Sequence, residues 1–304
     1  MRCIAIGLIK PHWHSIPIDG QARSVTALVT YEPVPEWFAS IASDDFGREE
    51  IGEHADAVGA YCLATRYEFS TSIQTQSDPE KPSPHGIARA ALETASMMLW
   101  LARRSSFGFN KIVVAEEDIE GWTWREVSSY DEKLSLPSYQ STDIEPEDFA
   151  VSTKYATAFE RAKIDGTIRV ASHSLGMALR QSNWPLRYLA LWLVLEGLFG
   201  PSDARETTFR LCQRIALFLA PRGQRAIDLF KTVNESYKWR SKVVHGMRLR
   251  KLQPKQSLEL IEELEAIVHR SLQKVIGDER LLDIFDSDEK DEYLDKLALI
   301  ENDA

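Results

Sequence analysis

Only three cysteines occur in this 304-residue sequence, at positions 3, 62 and 212, and no two of them form a CxxC pair. So sparse and odd a set excludes a disulfide framework and points to reduced thiols in a cytoplasmic protein. Long apolar runs are also missing. The most hydrophobic stretch, residues 186–199, contains Arg187 and Glu196 and falls short of the ~20 residues that a bilayer crossing requires. No membrane partner is expected. The slightly apolar start, residues 1–10, gives way at once to polar turn residues, so no signal peptide is expected either. No P-loop, GxGxxG, HExxH or GxSxG signature is present, which removes the common nucleotide-dependent and hydrolase readings. Nothing in the sequence calls for a cofactor, and no internal repeat is visible.

What is present is an ordinary globular balance, 44% hydrophobic and 27% charged, over a length that favours two domains. The formal net charge of -10 is unevenly spread. Residues 278–304 hold eleven acidic and three basic side chains, a net of -8, which leaves -2 on residues 1–277. Six basic residues fall between 240 and 255 with no acidic one among them: Arg240, Lys242, Arg248, Arg250, Lys251 and Lys255. In an acidic chain, that local reversal of sign points to an anionic ligand.

Periodicity divides the chain. Residues 3–9, 24–31, 67–74, 111–115 and 122–127 read as short strands, and 36–42, 49–64 and 87–104 as helices. These make an α+β N-terminal module spanning 1–145, expected to sense a trigger or bind a partner. Residues 128–148 turn polar around Pro137 and Pro146 and read as a linker. From 149 to 276 the pattern is helical: 149–163, 168–181, 185–199, 204–219, 224–237 and on through the basic run, then 255–276. Pro185 suits a first helical position after Asn183, and Gly200-Pro201 stops that helix. The fold class expected is therefore an α+β module followed by an all-α bundle, with an acidic tail over 277–304.

One short segment concentrates the chemistry: Tyr237, Lys238, Trp239, Arg240, Ser241, Lys242, Val243, Val244, His245 and Gly246. At 100° per residue, Tyr237, Arg240, Ser241, His245 and Arg248 share a face of roughly 140°, with Arg240 and His245 at its edges. One helix does not readily bring that pair to one phosphate. A second copy across a two-fold axis does, so the geometry favours a composite, dimeric site. An imidazole, titrating near neutrality, can take a proton from a ribose 2′-hydroxyl or give one to a leaving 5′-oxygen. A guanidinium can grip the phosphate and stabilise developing charge. Tyr237 can stack on a base, while Lys242, Arg248, Arg250 and Lys251 can guide the RNA backbone. The same spacing also arises by chance, and a basic helix end is often only a solvated face.

Glu196 is the other residue that stands out, a lone carboxylate in an apolar helix and costly to bury unpaired. It either orients Arg240 or His245, or forms a structural ion pair at a helix end. Trp122 and Trp124 share a strand face and serve equally well as a stacking surface or as a half-buried strand. His12 and His14 form an H-x-H pair without further ligands at metal spacing, and read as surface loop. The acidic tail reads as a solvated helix, or as an RNA mimic folded onto the basic run.

Together, Tyr237-x-x-Arg240-Ser241-x-x-Val244-His245-Gly246 and the upstream Ala190-Leu-Trp-x-x-Leu-Glu196-x-Leu-Phe199 run resemble the Apea-like branch of the HEPN superfamily. Arg240 and His245 match its R-x4-H signature, whereas Ser241 stands where other branches carry Asn, Asp or His. The resemblance covers roughly residues 150–276. It implies a helical domain that dimerises so that two motifs line one cleft. It further implies a metal-independent endoribonuclease, of the kind found in phage defence, toxin–antitoxin systems and RNA processing, with RNA, a second copy and a possible antitoxin or trigger protein as partners. Other members of the superfamily are silent binding or scaffold modules.

Overall fold

The computed structural model describes residues 2–9, 19–38, 61–68, 83–105, 107–117, 119, 121–129, 136–202, 207–246 and 254–299. The chain divides into two compact units: 1–132 with 139–157, and 133–138 with 158–304.

The first unit is built on an antiparallel sheet of β1 (Arg2–Ile9), β2 (Arg23–Ser24), β3 (Thr30–Pro33), β4 (Tyr61–Glu68), β5 (Phe109–Glu117) and β6 (Trp122–Ser129). Its strand order is β2-β3-β4-β1-β5-β6. β1 lies in the middle because it is apolar on both faces: Ile4, Ile6 and Leu8 pack to one side, Ala5 and Ile9 to the other. Helix α1 (Pro84–Ala102) covers the second side through Leu92, Ala95 and Leu99. Ser83 starts that helix, its hydroxyl accepting from the Gly86 N–H at 3.0 Å, and Pro84 occupies a first-turn position that needs no donor.

Several sequence expectations change here. The run 24–31 is not one strand but a hairpin turn. The Thr26 hydroxyl accepts from the N–H groups of Leu28 and Val29 and folds the chain back between β2 and β3. Residues 61–64, expected at the end of a helix, open β4, because Tyr61 to Ala64 are buried between β1 and β3. A short, fully buried apolar run has no periodicity that distinguishes strand from helix. The supposed linker is structured too. It carries a 3-10 turn (Pro137–Ser141) and the start of α2 (Pro146–Arg161), and Leu136, Tyr139 and Ile144 are buried. Phe149, expected to begin the helical part, belongs to the first unit's core. Most of the expected helices 36–42 and 49–64, and His12 and His14, lie outside the described residues.

The second unit is helical: α3 (Thr167–Arg180), α4 (Trp184–Phe199), α5 (Thr207–Leu219), α6 (Gln224–Val244), α7 (Pro254–Ile276), α8 (Glu279–Phe285) and α9 (Lys290–Leu299). At its centre is α4. Tyr188, Leu191, Trp192, Val194, Leu195, Leu198 and Phe199 are all buried, as expected of a helix apolar on nearly every side. The Asn183 side chain caps it and Pro185 lies in its first turn. Two polar ties lock α4 to its neighbours. Arg187 forms a fully buried ion pair with Glu265 of α7, Nε to Oε1 at 2.6 Å. The Tyr188 hydroxyl bonds the Ser236 carbonyl and hydroxyl of α6. Burial pushes the Tyr188 phenol up to about 12, so it stays a neutral donor.

The described part of the acidic C-terminal segment is not a solvated tail but packs into the second unit. Leu281, Leu282, Phe285 and Leu294 are buried, and Phe285 packs edge-on to Phe199 at 5.9 Å. Its carboxylates go to arginines of α5: Asp291 and Asp295 both hold the buried Arg214, and Asp295 also holds Arg210.

Candidate functional site

The side of α4 that is not buried ends in Glu196, and the facing turn of α6 supplies Arg240. The two meet in an ion pair with Nη2 to Oε2 at 3.3 Å and Nε to Oε1 at 3.1 Å. The second contact is too oblique for a hydrogen bond, although both atoms are shielded from solvent. Each side chain remains about a quarter exposed, 28% for Arg240 and 26% for Glu196. The carboxylate thus orients the guanidinium while Nη1 makes no hydrogen bond among the described residues. Of the two partners weighed for Glu196 in the sequence, Arg240 and His245, the structure gives Arg240.

Aromatic rings fix the floor. Tyr237, one turn before Arg240, lies with its ring 5.6 Å from the guanidinium carbon. It stands perpendicular to Trp192 of α4, with centroids 5.1 Å apart. Trp192 was not singled out in the sequence. The available signal was its position four residues before Glu196, on the same stripe of α4.

The helix carrying the motif stops sooner than an ideal helix drawn through Arg248 supposes. α6 ends at Val244; His245 is its C-cap, and its N–H donates to the Ser241 carbonyl at 3.1 Å. Gly246 follows at φ +62°, and its N–H donates to the Val243 carbonyl. That left-handed residue explains why glycine follows the histidine: most side chains there cost ~1–2 kcal/mol. His245 is exposed, Ser241 is half-buried one turn behind it, and Val243 is buried. The structure therefore joins Arg240, Glu196 and Tyr237 and leaves His245 on open surface at the helix end. Arg248, Arg250 and Lys251 lie outside the described residues.

The Lys242 ammonium sits 3.8 Å from the Trp239 ring centroid, a cation–π contact along one face of α6. Trp239 is half-buried. Trp122 and Trp124 pack against the β1–β4–β5 core, and Trp122 stacks on Trp37 at 4.8 Å, as a half-buried strand does.

Among the described residues, no three or more His, Cys, Asp or Glu side chains gather as a metal-binding group, and no helix is long and apolar enough to cross a membrane. Comparison with protein-family models, with curated proteins and with solved structures finds no match to this chain.

Proposed function

We propose that the second unit is a HEPN-type endoribonuclease that cuts RNA without a metal ion, as a homodimer whose two R-x4-H motifs face one cleft. The observation that carries this reading is the Glu196–Arg240 pair: a carboxylate holds a partly exposed guanidinium five residues before an exposed, helix-ending histidine. In the reaction, the ribose 2′-oxygen attacks phosphorus and the 5′-oxygen leaves. One imidazole takes the 2′-hydroxyl proton while the other copy's His245 gives a proton to the 5′-oxygen. Arg240 stabilises the charge that builds on the phosphate oxygens. Products end in a 2′,3′-cyclic phosphate and a 5′-hydroxyl, and DNA is not cut. Ser241 and Lys242 flank these groups, and Arg248, Arg250 and Lys251 supply cationic charge close by in sequence.

A second copy is favoured by the surface beside the pair. α3 exposes Val170 and Met177, and α4, the helix that also carries Glu196, exposes Leu186 and Leu193, each near half its area. A phage-defence or toxin role, with a trigger or antitoxin read by the first unit, fits such an enzyme.

The decisive test is incubation of wild type, Arg240→Ala and His245→Ala with RNA in EDTA, followed by analysis of the product ends. Cleavage that survives chelation and disappears in both variants supports the reading. A second reading, a catalytically silent HEPN module that binds RNA or nucleotide or acts as a dimeric scaffold, is favoured by one fact: Glu196 already neutralises Arg240. Binding without cleavage under every condition would select it.

A further inference from the structure

Next to Arg240, on the adjoining side of α6, a groove of about 360 Å³ opens toward α7. It is lined by Trp239, Gln256, Glu259, Leu260 and Glu263. Its volume falls at the low end of the ~300–1,000 Å³ typical of small-ligand sites. The lining is unusual for a surface that would serve only to keep the helices soluble. A half-buried indole forms one wall and Leu260 an apolar edge, and two carboxylates one helical turn apart on α7 face them.

The two carboxylates differ. Glu259 has Lys255 at 3.9 Å. Glu263 makes no hydrogen bond or ion pair among the described residues, and partial burial pushes its carboxyl above the usual range. A carboxylate in that position gains most from a ligand that brings N–H donors. Lys242 over the indole and Lys255 beside Glu259 balance the two negative charges. The groove is thus close to neutral, which suits an uncharged planar group better than a phosphate.

We propose that this groove is a nucleobase pocket selective for guanine, so that the enzyme reads one base beside the phosphate it cleaves. This rests on the proposed ribonuclease function and adds a base preference to it. Trp239 supplies the stacking face, as aromatic side chains do for splayed-out RNA bases. Glu263 accepts from the ring N–H and the exocyclic amino group of guanine, two parallel donors that match a carboxylate. Adenine and cytosine offer an amino group beside an acceptor, and uracil offers one N–H between two carbonyls, so each meets the carboxylate less well. Trp239 and Arg240 are consecutive, with side chains about 100° apart around the helix. A base held at 239 and a phosphate gripped at 240 therefore belong to the same or neighbouring nucleotides.

The test uses the full chain and labelled 2′-O-methyl hexanucleotides, which lack the attacking hydroxyl and cannot be cut, identical but for one central G, A, C or U. Fluorescence anisotropy should show the G hexamer binding about tenfold or more tighter than the U hexamer. Glu263→Gln should erase that ratio while leaving U binding within about twofold. Trp239→Ala should weaken all four hexamers by about tenfold, with Trp239→Phe restoring most of the loss and guarding against a folding artefact. Equal affinity for the four hexamers, or a G preference that survives Glu263→Gln, overturns the proposal. So does Trp239-dependent binding of an arginine-rich peptide in place of the hexamers, which would make the groove a protein-docking site. Cleavage of ordinary RNA by the same samples separates the two readings. Cutting with no base preference sinks only the pocket, and base-selective binding with no cutting sinks only the nuclease.

Discussion

Lys290 donates from Nζ to the carbonyl of Gly197 at 3.2 Å, one residue beyond Glu196 on α4. The next helix-end carbonyl to be satisfied, that of Phe199, accepts from Arg214 Nη1 at 3.2 Å. Both cations sit at the negative end of the α4 dipole, where unpaired carbonyls need donors. Arg214 is in turn held by Asp291 and Asp295. Residues 278–299 thus form part of the frame that carries Glu196, and through it Arg240.

Removing residues 278–304 should therefore weaken the second unit. Phe285 is fully buried between Phe199 and Phe218, and cutting such a ring to alanine costs ~3–5 kcal/mol. Urea unfolding of Phe285→Ala and of the truncated chain should show that loss, and RNA cleavage should fall with it. A truncated chain that is equally stable and cuts RNA faster would instead mark the segment as an inhibitor.

The same frame has an acid limit. Burial pushes the Asp291 carboxyl up, but hydrogen bonds from Ser202 and Arg214 outweigh it and hold the group below its ordinary value of 3.8. A depressed carboxylate contributes stability above its unfolded pKa and loses it as pH falls through the folded one. The stability difference between wild type and Asp291→Asn should be constant above pH ~5 and shrink below pH ~4. Denaturation midpoints measured from pH 3 to 6 check this, and a difference that grows on acidification refutes it.

In the proposed mechanism Glu196 positions Arg240, with which it forms an ion pair, so their effects should not add. Arg240→Ala should lower cleavage by ~10²–10³-fold, the usual loss when one charge-stabilising donor is removed. Glu196→Gln should lower it by roughly tenfold, with the loss mainly in kcat and only a small rise in KM. In Arg240→Ala, the further change Glu196→Gln should have almost no effect. Additive losses in this cycle would mean that Glu196 acts independently of Arg240.

The order of the helical elements was legible in the sequence because caps and breakers mark their ends, Asn183 with Pro185 and Gly200 with Pro201, whereas the stop at Val244 before Gly246 was missed. The first unit was less legible. Residues 61–64 lie in the sheet interior, where strands are apolar on both faces and lose their alternation. At the site, a lone carboxylate in an apolar helix was enough to single out Glu196. Its choice of Arg240 over His245 needed the packing of α4 on α6. The Trp239 groove was invisible, since a tryptophan beside a basic motif reads as core until its surroundings are known.

Gly246 should be sensitive for a backbone reason alone. A Cβ there meets nothing within 4 Å, yet φ is +62°. Gly246→Ala should cost ~1–2 kcal/mol and fray the α6 end that bears His245, whereas Gly246→Asn should cost less, because Asn tolerates this conformation better. Equal thermal midpoints for all three proteins would contradict the assignment.

The apolar face of α3 and α4 offers the sharpest test of the composite site. Leu186 is 53% exposed and Leu193 47%, and they stand two turns apart on one side of α4, in line with Glu196. Neither side chain is core, so Leu186→Glu with Leu193→Glu should leave the monomer fold intact. In a dimer joined through this face, paired like charges would meet across the two-fold axis and oppose association. Light scattering should then report a dimer for the wild type and a monomer for the double variant. RNA cleavage should fall by the same factor as in His245→Ala, because each site would lack its second motif. The strongest check is poisoning by mixed dimers. An excess of His245→Ala chains that keep the leucines should suppress wild-type activity, because a mixed dimer holds one imidazole where two are needed, and the same excess carrying both glutamates should not. Full activity in a monomeric double-glutamate variant would show that one chain builds the whole site.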